Sequence, residues 1–386
     1  MKKLTIIILV TFFLATNNNF KVIRADSSIP LLFNDITNHW AEVSIIEAVK
    51  KGFVEGYPDG TFKPDVKVTR AEFIKLTIAS LRLPVSSEPM TNWYDPYVIV
   101  AKDAGIYTEN DFTTGNMNTP MTRFEMSRAA VRATGQMNDD PDKWMYLATK
   151  AGLIQGMDKT GLLGEDQSTT RAQSITVIER ILTIKGGGTL PADKHAVNRA
   201  EVLWHHTNIF SVMPEIFDVV NFGKNVIDKW DKNKMFVEPK NGLYKATLDS
   251  LIAIDLGDKD DPNWNLVPAN LKWYDYPNNW DVRKYTDAYL ILPVSHVDFN
   301  KDQKIYSYGT LAFEFYGSYP PDNSSSFPNG TLLSAHVLTL DGTKLYGGII
   351  VPKDTKSLYT EIGIRIRAIA MAPHDLDAKK LLVVKR

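Results

Sequence analysis

From Phe33 to Leu81, apolar positions recur at helical spacing on either side of a polar break. Ala41, Ile45, Ala48 and Val49 mark one face of a helix that follows start signals at Thr37 and Asn38 and stops at Gly52. Pro58-Asp59-Gly60 fits a type I turn, with proline presetting φ and glycine free to take the left-handed position. A second apolar series, Phe73, Ile74, Ile78 and Leu81, follows Thr69 and Glu72. Three residues apart, those two predict a capping box. The threonine oxygen accepts from the N–H of Glu72, and the glutamate reaches back to the threonine N–H. The stretch reads as helix, turn, helix.

The same pattern returns twice. Gly52 to Arg70 is 18 residues, Gly105 to Arg123 is 18, and Gly152 to Arg171 is 19. Trp40 precedes Gly52 by 12 residues, and Trp93 precedes Gly105 by 12. Each copy keeps a capping pair: Thr69/Glu72, Thr122/Glu125 and Thr170/Gln173. The repeats span residues 31–83, 92–136 and 139–186. The third has Asp140 where a tryptophan is expected, and its Trp144, one turn later, reads as core.

Arg70, Arg123 and Arg171 each sit at the first helical position. A cation there opposes the helix dipole by a few tenths of a kcal/mol to about 1 kcal/mol. Its threefold recurrence points to an acidic ligand, since a guanidinium beside backbone N–H groups suits a carboxylate. Trp40 and Trp93 offer flat apolar faces of the kind that pack against a sugar ring.

The first copy closely resembles the S-layer homology (SLH) repeat of Gram-positive surface proteins. The matching residues are Phe33, Asp35, His39-Trp40-Ala41, Gly52, Gly56-Tyr57-Pro58-Asp59-Gly60-Thr61-Phe62, Pro64 and Thr69-Arg70-Ala71-Glu72. The resemblance implies an all-α, pseudo-threefold trimer of three repeats with grooves between neighbours. Such grooves bind secondary cell wall polysaccharide, often through a pyruvylated amino-sugar. It assigns the carboxylate to Arg70, Arg123 and Arg171, the sugar to Asp35, Trp40 and Trp93, and close backbone approach to Gly56. With the turns of the second and third copies altered, one or two working grooves are expected.

The chain has 386 residues, 44% of them hydrophobic, and no cysteine, which excludes disulfides and thiolate metal sites. Lys2 and Lys3 precede an apolar run from Leu4 to Ala15, and Arg24-Ala25 closes a polar stretch: residues 1–25 read as a secretory signal peptide. Its removal takes away Lys2, Lys3, Lys21 and Arg24 and no acid, so the net charge goes from −1 to −5. A mildly acidic chain without basic tracts is a poor nucleic-acid ligand. No membrane contact is expected after cleavage, and no cofactor. The expected location is the cell wall or S-layer surface of a Gram-positive bacterium, with self-association in a surface layer as a further expectation.

Residues 187–235 read as a linker and partly helical connection. Beyond Phe236 the texture turns to short β-rich runs: Tyr289–Leu292, Tyr306–Tyr316, Thr331–Leu340, Tyr346–Val351 and Ile362–Met371, with a hairpin turn at Asp341-Gly342. Their spacing predicts a β-sandwich or jelly-roll-like domain over 236–386, making the whole a multidomain α + β protein. Asp298 to Asp302 opens like a calcium loop, but Gln303 and Gly309 stand where the turn glycine and bidentate glutamate belong, so it reads as a polar turn. Asp255, Asp258, Asp260 and Asp261 form an acidic loop that also offers oxygen ligands for calcium. Adjacent His205 and His206 diverge on a helix and read as ordinary histidines. No Gly-x-Ser-x-Gly, HExxH or P-loop pattern occurs. The expected function is non-catalytic anchoring with a C-terminal binding or S-layer-like module. The alternatives are a wall-anchored polysaccharide or peptidoglycan hydrolase, and a soluble exported binding protein with a relic anchor.

Overall fold

The computed structural model describes residues 33–112, 116–217, 226–267, 269, 271–275, 278–306, 311–317, 333–338, 345–353, 361–374 and 378–385. The expected leader and the Asp341-Gly342 turn lie outside these residues.

Three helix pairs come first: α1 (Glu42–Lys50) with α2 (Arg70–Ser80), α3 (Asp95–Asp103) with α4 (Arg123–Ala133), and α5 (Trp144–Lys150) with α6 (Arg171–Lys185). Each short helix runs into a left-handed glycine, Gly52 at φ 77°, Gly105 at 69° and Gly152 at 71°. Without a Cβ, glycine takes that turn at little cost. Each long helix opens on its capping box, with both reciprocal hydrogen bonds formed.

The pairs interlock in a cycle. Val68 N–H donates to Thr169 O at 2.9 Å, Thr169 N–H to Met121 O at 2.8 Å, and Met121 N–H to Val68 O at 2.9 Å, closing a triangle. The first two N–H groups of α2 donate to Thr119 O and Met117 O. Those of α4 donate to Gln167 O and Glu165 O, and those of α6 to Val66 O and Pro64 O. Donors that every helix start leaves unpaired are thus satisfied by the next pair. Helix α2 packs on α3, α4 on α5 and α6 on α1. One apolar core runs through all three pairs, from Ile45 and Phe73 through Met126 to Ile178.

The stretch anticipated as a linker and partly helical connection carries three α-helices among its described residues. Helix α7 (Lys194–His205), capped by Asp193, contributes Ala196, Ala200 and Trp204 to the helical core. Two short helices follow, α8 (Ile209–Val212) and α9 (Pro214–Phe217).

The remainder is antiparallel sheet. One sheet orders β1 (Val226–Asp228), β11 (Ala378–Lys385), β10 (Glu361–Ala368) and β7 (Leu311–Gly317). The other runs β2 (Phe236–Val237), β3 (Tyr244–Asp255), β6 (Ala288–Asn300), β9 (Leu345–Pro352), β8 (Leu333–Leu338), β4 (Leu271–Asp275), β5 (Asn278–Asp281). Residues 288–292 are buried without alternation because β6 is covered twice. Tyr289 and Ile291 join a core shared with Phe315 and Ile364 of the smaller sheet. Leu290 and Leu292 join Ile252, Ile254 and partly buried Val202 of α7. Each anticipated run overlaps a strand, but β3, which pairs with β6 along its whole length, was among the strands not anticipated. Its polar outward positions and Lys245, Asp249 and Ser250 broke the apolar run.

Candidate functional site

Each seam between helix pairs is stapled by one of the three arginines. Arg70, 4% exposed, forms an ion pair with Glu125 (Nε to Oε2 3.1 Å), donates from Nη1 to Asn116 O at 3.1 Å, and lies over the Phe112 ring at 4.5 Å. Arg123, 6% exposed, donates to Leu163 O at 2.6 Å and Gln155 O at 2.8 Å. Burial, then the nearby Arg180 charge, lowers its pKa from the usual guanidinium value. Arg171, 8% exposed, donates to Phe62 O at 3.1 Å and Glu55 O at 3.3 Å, and covers the Phe62 and Tyr57 rings. The first pair holds the second, the second holds the third, and the third returns to the first.

The guanidinium and N–H groups expected to face an acidic ligand have partners inside the protein. The helix N–H donors are bonded to carbonyls, and all three guanidiniums are buried against the neighbouring turn. Arg70 in particular neutralises the buried Glu125. Asp35 is similarly occupied, accepting from the N–H groups of Phe62 and Lys63 at 2.8 Å each and holding Lys63 at φ 57°. At Gly56 the close neighbour is internal, since an added Cβ would stand 1.9 Å from the Phe33 ring. These residues shape the surface from beneath.

Trp40 and Trp93 form the surface itself, 63% and 52% exposed, just before α1 and α3. The His39 ring lies 5.4 Å from that of Trp40. Trp93 meets Tyr94 edge-on, and Lys75, reaching across from α2, holds its ammonium 5.7 Å from the Trp93 ring and 5.8 Å from the Tyr97 ring. Lys75 is exposed, with no acid at ion-pair distance among the described residues. Sequence reasoning missed it because only the α2–α3 contact brings residue 75 beside residue 93.

The third pair differs. Trp144 is buried under the Arg132 guanidinium at 4.7 Å, as core. Asp140 accepts from Trp204 Nε1 of α7 at 2.6 Å, and the Trp204 ring packs on Tyr146 at 4.9 Å. The seam between the second and third pairs opens as a groove of about 520 Å³, lined in part by Asp111, Glu125, Arg128, Glu165, Asp166 and Leu203. Asp111 is tied to Arg128 and Arg132. The lining carries more acid than base.

The acidic loop is committed to ion pairs and turns. Lys353 pairs with Asp255, Lys194 and His195 with Asp258, and Lys159 with Asp260, while Asp261 accepts from the N–H groups of Asp255 and Asn263. Burial alone would raise the Asp258 pKa, but Lys194 and His195 outweigh it and hold the group at about 2. The residues that open like a calcium loop and read as a polar turn are likewise bonded internally. Asp298 accepts from Thr247, and Asp302 from the N–H groups of Lys304 and Ile305.

Comparison with known proteins finds an S-layer homology domain at residues 32–74. The chain is 28% identical over 180 residues to an amylopullulanase of Thermoanaerobacterium thermosulfurigenes, covering 40% of this chain and 10% of that protein. It is 28% identical over 176 residues to exoglucanase XynX of Acetivibrio thermocellus, covering 39% and 16%. A cellulosome-anchoring protein of Acetivibrio thermocellus is 39% identical over 59 residues, 15% of this chain and 13% of that protein. The chain thus matches about a tenth to a sixth of these relatives' lengths. The S-layer homology domain marks it as a secreted protein of the cell-wall or S-layer surface. No helix among the described residues is long and apolar enough to cross a membrane.

Proposed function

We propose that residues 31–186 form three tandem S-layer homology repeats assembled as a pseudo-threefold trimer. Its exposed tryptophans bind an anionic, pyruvylated secondary cell wall polysaccharide and so hold a secreted protein to a Gram-positive wall. The trimer is supported by the cyclic exchange of backbone bonds and arginines among the helix pairs. The observation that carries the binding reading is the exposure of two large indoles at matched positions, Trp40 and Trp93. An exposed indole offers a sugar ring a flat apolar face and an N–H donor. At Trp93 the ammonium of Lys75 supplies the cation for the sugar carboxylate, while Arg70, Arg123 and Arg171 set the groove walls, with Asp35 and Gly56 beneath. The name of the cellulosome-anchoring relative fits attachment to the cell surface. Residues 1–25 act as the secretory leader, and the sheets over 236–386 form a sandwich-like outward module for binding or surface-layer assembly.

Co-sedimentation tests this reading. The chain from residue 26 onward is expected to pellet with native walls and to stay in solution with walls stripped of accessory polymer. Trp40→Ala and Trp93→Ala are each expected to weaken binding about five- to thirtyfold, the loss of 1–2 kcal/mol. Equal binding to both wall preparations rejects the polymer as partner. The amylopullulanase and exoglucanase relatives carry enzyme names, which supports a second reading of the C-terminal module as a polysaccharide hydrolase. Release of reducing sugar from purified walls by the same protein would favour it.

A further inference from the structure

The outward face of the third helix pair is not open like the other two. Gly52 and Gly60 of the first pair are exposed, but their counterparts Gly152 and Gly161 are buried. A Cβ on Gly152 would meet Leu190 at 2.7 Å and Pro191 O at 2.8 Å, and one on Gly161 would meet the His195 and Ala196 backbone at 2.3–2.4 Å. Polar contacts follow the same line. Gly156 N–H donates to Asp193 Oδ2 at 3.0 Å, and Arg199 Nε to Thr160 O at 2.9 Å. His195 Nδ1 lies 2.7 Å from Lys159 O. Asp140, at the position of the missing platform tryptophan, is bonded to Trp204, which is itself buried between Tyr146 and the His205 ring.

We propose that α7 and its lead-in, residues 190–205, permanently fill the third face, leaving the trimer two polymer-binding faces and using the third to fix the C-terminal sheets to the anchor. This rests on the polymer reading for the number of sites and stands apart from it for the docking. Two observations support it independently. The platform tryptophan is replaced by an acid engaged inside the molecule, and the neighbouring groove is lined by Glu165 and Asp166, charges that repel an anionic sugar. Helix α7 in turn carries Val202 into the sheet core, and Lys194 and His195 to Asp258. One helix therefore closes the face and carries the outward module.

Two measurements test this on the chain from residue 26 onward. Calorimetric titration with polymer fragments released from native walls is expected to count two sites per chain, and in Trp40→Ala/Trp93→Ala both are expected to weaken about five- to thirtyfold. Three sites in the parent chain, or one that keeps the parental affinity in the double variant, would overturn the proposal. Amide exchange without polymer is expected to show residues 152–163 exchanging at least tenfold more slowly than residues 52–63 of the first pair. Equal rates would mean that α7 is not seated and would overturn it as well. A protein that binds no fragment at all rejects the polymer reading, and exchange then decides the docking.

Discussion

The first and third helix pairs share a skeleton and differ in what lies over it. Both have a left-handed stop glycine, a tight turn, a capping box and a buried arginine reaching into the next pair. Over the first lies solvent and an exposed indole; over the third lies α7. Features that close the ring recur in every pair, because each seam needs the same donors and acceptors. The outward positions carry no such duty, so Trp40 and Asp140 can diverge while the frame holds. Recurrence in all three pairs therefore marks the scaffold here, and the pairs diverge at their outward positions.

The seams provide the sharpest test. Arg70→Ala strands the Glu125 carboxylate, which is shielded from water, and such a loss costs about 3–5 kcal/mol. Arg171→Ala removes charge-assisted bonds to two carbonyls, and about 1.5–3 kcal/mol is expected. Urea unfolding measures both. On the proposed reading, wall binding of whatever folded fraction remains should be largely retained, as both guanidiniums are buried in the seams. A variant that keeps its midpoint yet no longer binds walls would reverse the roles assigned to frame and face.

That distinction explains what could be read from the chain. Capping boxes, stop glycines and the Pro58-Asp59-Gly60 turn are local devices, and spacing alone exposes them. The arginines were just as visible, but their internal partners, Glu125, Leu163 and Phe62, lie 40 to 109 residues away and were not. Spacing locates a cation without revealing whether the fold covers it. Lys75 was hidden for the same reason. In the β region, apolar runs located β6 and β10, but β3 interleaves polar residues, and the pairing of β7 with β10 spans some fifty residues.

Helix α7 makes the covered face sensitive to pH in two opposing ways. Burial pushes Glu201 up to about 7, although it accepts from the N–H groups of Phe210 and Ser211. Between about 4.5 and 7 the folded chain therefore holds a proton that the unfolded chain releases, and stability falls as pH rises through that window. Burial pushes His205 down to about 4, so the unfolded chain takes up the extra proton below 6.5 and stability falls as pH drops. Each slope is about 1.4 kcal/mol per pH unit, and the two nearly cancel between pH 4.5 and 6.5. Glu201→Gln should unmask the histidine limb, with stability rising steadily from pH 4 to 6.5. A flat profile in that variant would mean that α7 is not buried against its neighbours.

Glycines compare the two faces directly. Gly60 and Gly161 both have positive φ, 78° and 71°, so alanine strains either by about 1–2 kcal/mol. At Gly60 the nearest atom to a new Cβ is Asn34 Nδ2 at 4.0 Å; at Gly161 it is the backbone of α7. Overpacking adds about 1–3 kcal/mol at the second site alone. Thermal unfolding of Gly60→Ala and Gly161→Ala reads that difference, and equal losses would mean that the third face is as open as the first.

The smallest expected change in stability belongs to the residues assigned the largest share of binding. Trp40 and Trp93 stand mostly in solvent, so replacing either by alanine vacates little of the core, and unfolding midpoints should shift by no more than about 0.5 kcal/mol. Trp204→Ala is the control: that indole is buried and hydrogen-bonded, and its loss should cost several kcal/mol, toward the about 3–5 kcal/mol seen for buried aromatics. Three substitutions of one residue type thus separate the two faces by stability alone. A large loss at Trp40 would make it part of the frame and leave the exposed face without its ligand platform. A negligible loss at Trp204 would free α7 from the third pair, and with it the rigid link between anchor and sheets.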